Sequence, residues 1–427
     1  MQVTKRKFDY KWVIFVLCFF MNFVCLGFCS SNKGLYLSAI TEALGIKRSL
    51  FSINDSCRFI STALINLFFG TLIHKFGFRK MAAFGFSCLV ASSLIYSVSN
   101  NIWGFYLGGV LLGFGASFTT TTMTGSLIRR WFKTDIGKYT GIVFAANGIG
   151  GALAAQIITP LIFHETNPFG YRISYRLVAL VTLVTGIAVI TLLREHPKDE
   201  PVTNAPAKKR SARGRSWEGL PFETIKKRPY FYVLACGTLM TGFILQGIGS
   251  VYAAHFKDVG IDTGYLATIA SVYSLALTLS KILVGFVYDK KGLRFILLMC
   301  QSATVVAFTL LLLISNTMSG RVMAFIFSLL YALALPLETL VIPLVVNDAF
   351  GSTAYDKVLG IMTAMNYTGY ALGTPLINLC YDTYGTYTPI FIAFIVLMPI
   401  IAFAIQMALR GVQKDKQALA AADTGCE

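Results

Sequence analysis

The sequence predicts an all-α integral membrane protein, with twelve transmembrane helices in two six-helix lobes (a 6+6 pseudo-repeat). Three observations carry this. Of the 427 residues, 55% are hydrophobic and only 13% are charged, whereas a soluble domain carries about 25% charged residues. Apolar runs long enough for a hydrocarbon core of about 30 Å recur along the chain. Segments of the second half also repeat segments of the first at nearly constant offset. Such a composition excludes a soluble globular enzyme, a disordered chain and a disulfide scaffold.

The runs fall at residues 12–33, 49–73, 80–99, 102–128, 137–163 and 173–193. After a long polar break they resume at 229–255, 263–288, 293–315, 320–347, 355–381 and 387–409. The lobes are expected at 1–194 and 229–410, joined by a basic linker at 195–228 and followed by a cytoplasmic tail at 411–427. The first run is longer than the apolar core of a signal peptide and lacks a small-residue cleavage site, so it reads as a span.

The net charge of +17 is mostly a topology signal. With the N-terminus taken as cytoplasmic, 28 of the 37 basic residues fall on that side, six on the other and three inside spans. Lys and Arg concentrate on the cytoplasmic side of membrane proteins. Both termini are therefore expected in the cytoplasm, with the chain in the plasma (inner) membrane. The linker carries Lys208-Lys209-Arg210, Arg213, Arg215 and Lys226-Lys227-Arg228, and a solvated topogenic segment is favoured there over a lipid-headgroup site. The basic loops lack a folded module, so no nucleic-acid partner is expected. No Gly-rich loop follows a strand, which argues against nucleotide-driven transport. Nine Cys without CxxC spacing and four scattered His indicate no metal site, no cofactor and no disulfide framework.

The repeat is explicit in two places. Gly70–Lys80 reads GTLIHKFGFRK and Gly285–Phe295 reads GFVYDKKGLRF, with the pairs Gly70/Gly285, Gly77/Gly292 and Arg79/Arg294 all at the same offset along the chain. Gly141–Leu153 reads GIVFAANGIGGAL and Gly360–Leu372 reads GIMTAMNYTGYAL, and Gly, Ile, Ala, Asn, Gly, Ala and Leu agree in register. Parallel repeats of this kind build two bundles around a central pathway.

Twelve spans, a long central loop and G-x-L-x-D-R-x-G-x-R-K-like loops after spans 2 and 8 resemble the major facilitator superfamily. The resemblance implies two lobes that rock around a mid-membrane cavity, and a protein that works as a monomer. Spans 1, 4, 7 and 10 would line the cavity, 2, 5, 8 and 11 flank it, and 3, 6, 9 and 12 face lipid. It also implies that Gly70, Gly77 and Arg79, with Gly285, Asp289 and Arg294, form a duplicated gating motif. In the first loop His74 stands where the family has Asp.

The intramembrane charges fit that layout. Spans 3, 6, 9 and 12 carry none away from their ends, while Lys33, Asp55, Arg58, Lys281 and Glu338 lie on spans 1, 2, 8 and 10. A charge at the bilayer centre costs about 2.5–3.5 kcal/mol on insertion scales, so these residues are expected to face a cavity. The run from Lys281 through Gly285 to Asp289 is similar to the R-x-x-x-G-x-x-x-D of the oxalate–formate and monocarboxylate transporters. In that branch the cation receives the substrate carboxylate. Lys is a point charge rather than a bidentate fork, and snorkelling to the inner surface is the other reading of Lys281.

Arg58 lies about 14 Å from the outer end of span 2 at 1.5 Å per residue. Asp55, three residues earlier, shares its face, so an internal pair and a substrate role are both open. Lys33, at the outer end of span 1, is close to a Lys of the monocarboxylate transporters, and it too has a snorkelling alternative. Glu338 is the only acid deep in span 10. A carboxylic acid there can cycle between charged and neutral forms, which makes it a candidate proton carrier or a partner for Lys281 across the lobes. The branch's acid four residues before the span-8 cation is Leu277 here.

Tyr273, Asn147 and Asn366 complete the candidate substrate contacts, and Asp55 joins Glu338 as a candidate for proton coupling. Asn22, Gln246, Tyr252, Tyr331, Tyr370 and the Thr119–Thr122 run read as helix-to-helix hydrogen bonding. The expected function is secondary active transport of a small organic anion, foremost a monocarboxylate, coupled to protons or to anion exchange. A drug or metabolite effluxer of the same fold is the alternative, and neither is an enzyme.

Overall fold

The computed structural model describes residues 10–132, 136–164, 167–194, 219, 221–351 and 353–424. Among the described residues every regular element is helical. The first crossing is built from α1 (Lys11–Asn22), a π-helical turn (Phe23–Phe28) and α2 (Lys33–Leu44). Then come α3 (Arg48–Phe76) and α4 (Phe78–Val98). The fourth crossing is α5 (Ile102–Thr119) with α6 (Thr121–Trp131), and α7 (Ile136–Ile162) and α8 (Gly170–Leu192) close the first lobe. A short α9 (Phe222–Ile225) precedes α10 (Pro229–Asp258) and α11 (Thr263–Leu313). The tenth crossing is α12 (Met318–Ala334), α13 (Pro336–Thr339) and α14 (Val341–Phe350), followed by α15 (Tyr355–Tyr384) and α16 (Thr388–Thr424).

Two expectations are corrected, at the first crossing and at residues 411–424, and the fourth and tenth crossings carry internal breaks. The first crossing runs to Leu44 rather than stopping at residue 33. The polar stretch Ser30–Lys33 ends the apolar run, yet its side chains are satisfied within the protein. Ser31 Oγ donates to Leu26 O at 2.9 Å and Asn32 Nδ2 to Gly151 O at 2.9 Å. The fourth crossing breaks at Thr120, where Thr119 and Thr120 bond back to the carbonyls of Gly115 and Ala116 at 2.8 and 2.6 Å, a contact that bends helices. The tenth breaks around Pro336, which has no N–H to offer. Lastly, residues 411–424, expected as a tail, continue α16. The linker's Lys208–Arg215 cluster lies outside the described residues.

Nine helices of the described residues are long and apolar enough to cross a membrane, or ten with α3 counted as one bent span, and α11 covers two expected crossings. Its helix turns at Gly292 (φ 76°, ψ 178°), matching Gly77 (φ 80°, ψ 163°) between α3 and α4. A positive φ favours glycine, which explains the glycine at the same place in both loops. The remaining crossing, α15, is 30 residues long but too polar to be among the candidates. It packs against α3 and α10 on one side, while Leu372, Leu376 and Leu379 form an exposed face on the other.

The repeat governs packing as well as sequence. A Cβ at Gly150 of α7 would stand 2.1 Å from Phe23 O in the first crossing. At Gly369 of α15, its equivalent in the second repeat, a Cβ would stand 2.2 Å from Leu239 O in the seventh. Small residues let helix backbones approach in this way. On α5, Gly109 and Gly113 do the same against the carbonyls of Asn54 and Arg58. Gly150→Val and Gly369→Val are therefore expected to lower the melting temperature and the yield of monodisperse protein. Gly141→Ala and Gly360→Ala, where a Cβ meets nothing within 4 Å, are expected to leave both unchanged. Thermal unfolding monitored by size-exclusion chromatography checks this.

Candidate functional site

The lobes meet along α3 with α15, α7 with α11, and α2 with α10. On the face away from the chain termini the meeting is ionic. Arg48, which opens α3, is only 5% exposed. Its Nη1 and Nη2 donate to the two carboxylate oxygens of Asp258 at 2.6 and 2.7 Å, and Nη1 also reaches the Tyr387 hydroxyl at 3.2 Å. The guanidinium lies 3.9 Å from the Tyr381 ring centroid. Backbone N–H groups of Arg48 and Ser49 donate to the two oxygens of Asp382 at 3.1 and 2.9 Å. Lys257 bonds Glu42 at 2.6 Å. Glu42 and Asp258 occupy matching ends of the first and seventh crossings, so each lobe's acid is held by the other lobe's cation.

Deeper in, the contacts become small and polar. Asn378 Nδ2 donates to Ser52 Oγ at 2.7 Å, Ser271 Oγ to Ala152 O at 2.8 Å, and Thr278 Oγ1 to Ala145 O at 3.4 Å. A Cβ at Gly148 would fall 1.9 Å from Thr278 Oγ1. Further toward the terminal face, at Gly70, Gly141, Gly285 and Gly360, a Cβ meets nothing within 4 Å. The lobes are joined away from the termini, and the space around these four glycines toward the terminal side is open.

Where the zipped half ends, the predicted charges appear. Lys33 is not at an outer interface. It opens α2, eleven residues before Leu44, which is about 16 Å of helix. Its Nζ bonds Asp55 Oδ1 at 2.7 Å with both side chains largely buried. That corrects two expectations: Lys33 does not snorkel outward, and Asp55 pairs with Lys33 rather than with Arg58. Arg58 makes no hydrogen bond or ion pair among the described residues, and its guanidinium rests 4.9 Å from the Phe59 ring centroid.

Lys281 is half-buried and makes no hydrogen bond or ion pair among the described residues. It lies three residues beyond Thr278 and therefore on the same face of α11. No Lys281–Glu338 bridge forms. Glu338 is 7% exposed, accepts from the Tyr370 hydroxyl at 3.1 Å through Oε2, and leaves Oε1 without a hydrogen-bond partner among the described residues. Asn366 Nδ2 donates to the Glu338 backbone carbonyl at 3.3 Å, while its own Oδ1 has no partner among the described residues.

The other candidates are more structural. Asn147 accepts from Ser31 Oγ at 2.8 Å within the first lobe. Tyr273 stacks on Tyr331 at 5.6 Å, in a cluster with Tyr252 and Phe327. Arg79 Nε donates to Ile190 O at 2.6 Å, tying the third crossing to the sixth, and Asp289 is exposed. His255 bonds Leu311 O at 3.1 Å in the core. Among the described residues no group of His, Cys, Asp or Glu is placed to hold a metal ion.

A family model described as Major Facilitator Superfamily matches residues 15–343 and, in a second match, 234–424. The chain belongs to this superfamily. It is accordingly a multi-pass membrane protein of a family of secondary transporters rather than enzymes. The superfamily member YcxA of Bacillus subtilis strain 168, an uncharacterized MFS-type transporter, is 25% identical over 289 residues, 67% of each chain. The sialic acid transporter NanX of Escherichia coli K12 is 21% identical over 262 residues, 60% of each chain. Among solved structures, the nucleoside transporter NupG superposes with a TM-score of 0.75 at 15% identity, covering 94% of this chain and 99% of that one. A bacterial homologue of the lysosomal transporter Spinster gives 0.66 at 14% identity, with 95% and 94% covered. These two likenesses concern the fold.

The ionic layer is what sequence reasoning misses. Arg48 reads there as one more outer-loop cation, and nothing in local spacing links it to residues 210 and 334 positions away. The available signal is the placement of Glu42, Asp258 and Asp382 at helix ends on that same face. Arg48→Gln and Asp258→Asn are each expected to lower the melting temperature, and the double variant by less than the sum. The coupling expected from a double-mutant cycle is about 0.5–3 kcal/mol.

Proposed function

We propose that this protein carries a small organic anion, a monocarboxylate in the first instance, by alternating access of its two lobes. In this reading both termini face the cytoplasm at the plasma membrane, as the basic-residue asymmetry implies. One observation carries the proposal. Arg58 in one lobe and Lys281 in the other are cations without an ion-pair partner among the described residues, at the inner limit of the zipped half. A charge at such depth costs about 2.5–3.5 kcal/mol on insertion scales, and an anion entering the cleft offsets that cost. The spacing from Lys281 through Gly285 to Asp289 supports a carboxylate, being similar to that of the oxalate–formate and monocarboxylate branch. NanX, named for an acidic sugar, is a relative in keeping with it.

Importing an anion against an inside-negative potential costs about 2.3 kcal/mol per charge per 100 mV. A co-transported proton or an exported anion removes that cost. Glu338, buried with one oxygen unpartnered, has room for a proton on Oε1 and a hydrogen-bonding neighbour, Tyr370, that senses its state.

The test is uptake of labelled mono- and dicarboxylates into proteoliposomes, with and without a pH gradient and with counter-substrate inside. Lys281→Gln is expected to abolish uptake while keeping the wild-type elution profile; full uptake by that variant overturns the assignment. Glu338→Gln is expected to make uptake insensitive to an imposed pH gradient, because Gln mimics the protonated acid at every pH. Acid stimulation that survives in Glu338→Gln places proton coupling elsewhere. Extrusion of lipophilic toxins without carboxylate uptake would select the effluxer instead.

A further inference from the structure

A second site lies outside the central cleft, on the terminal face of the C-terminal lobe. Lys291, Leu293, Arg294, Asp348, Leu409, Val412 and Lys416 line a groove between the loop after the eighth crossing, the end of α14 and the extension of α16. Comparison of the two repeats makes it unusual. In the first lobe Arg79 Nε is satisfied by Ile190 O, close to where α8 ends at Leu192. Arg294 occupies the same place in the second repeat, yet its Nε and Nη2 are buried without any hydrogen-bond partner among the described residues.

The cause is the length of α16. It does not end at the matching level but runs on to Thr424, so its carbonyls there stay committed to intrahelical bonds. The contact that remains runs the other way, from Gln406 Nε2 to Arg294 O at 3.3 Å. The guanidinium is left with orphaned donors, and a buried unmet donor is costly.

The surroundings define what would satisfy it. Lys291 sits beside Arg294 with its ammonium 4.2 Å from the Phe295 ring centroid. Lys416 donates to the Asp348 backbone carbonyl, and the Asp348 carboxylate accepts from the Tyr288 hydroxyl at 2.8 Å. Three cations against one carboxylate leave the groove positive, and the helix that starts after Gly292 adds its N-terminal dipole. Guanidinium and ammonium groups around a concave site suit a phosphoryl group. The apolar wall of Leu293, Leu409 and Val412 gives that group an apolar neighbour on its membrane side.

We infer that this groove binds a phosphate anion, carried by an anionic phospholipid headgroup or free in solution, with Arg294 as its principal ligand. The inference does not depend on the substrate proposed for the central cleft.

The experiment uses the full-length, delipidated protein in detergent, titrated with phosphatidylglycerol or with inorganic phosphate, reading thermal stability and binding. Wild type is expected to gain stability, and Arg294→Gln to bind at least about tenfold more weakly, as loss of a charge-assisted hydrogen bond implies. Lys290→Gln, an exposed cation outside the groove, is expected to match wild type. Protection by lipid alone identifies a headgroup as the source, and equal protection by inorganic phosphate identifies the free anion; either supports the site. Equal binding by wild type and Arg294→Gln overturns it, as does an equal loss in Lys290→Gln, which would indicate diffuse surface charge. Should Arg294→Gln fail to fold, Lys291→Gln serves in the same comparison.

Discussion

A charged side chain inside a hydrocarbon slab must find an opposite charge, a polar partner or water, and the arrangement of this transporter follows from how each cation meets that demand. Lys33 is answered by Asp55 within one lobe. Arg48 is answered across the lobe boundary, by Asp258, Tyr387 and the Tyr381 ring. Arg58 and Lys281 are not answered by any ion pair among the described residues. The first kind of pairing holds a helix in its bundle and the second holds two bundles together. The third leaves a charge without a counter-charge in the described protein.

The same division appears in the packing. Within lobes, Gly150 and Gly369 bring whole backbones into contact at equivalent places, and such contacts leave little room for sliding. Between lobes, Ser52, Ser271, Gly148 and Thr278 make contacts that are small and polar. Breaking those exposes groups that water can satisfy. Rigid bundles joined by an interface tolerant of water are what a rocking motion of two bodies requires.

Much of the fold is legible because a bilayer reduces folding to a nearly one-dimensional problem: apolar length, charge asymmetry and repeat. The errors arise where local rules meet distant partners. The end of span 1 is misplaced because Ser31 and Asn32 look like loop residues until Leu26 O and Gly151 O are seen to accept from them. Asp55 and Arg58 share a helix face, but Lys33, on the preceding crossing, reaches Asp55 first once α2 continues that crossing. Glu338 is a natural partner for Lys281 by charge alone, whereas its carboxylate engages Tyr370. The Arg48 layer joins chain ends of different helices, and no period or spacing encodes it.

The polarity of α15 bears on how the chain is made. A segment too polar to be counted among the apolar spans gains little from entering lipid alone. It is stabilised by burying Asn366, Asn378 and Thr374 against helices already in place. A strict hydropathy threshold loses this crossing, while its repeat of the fifth span marks it as one.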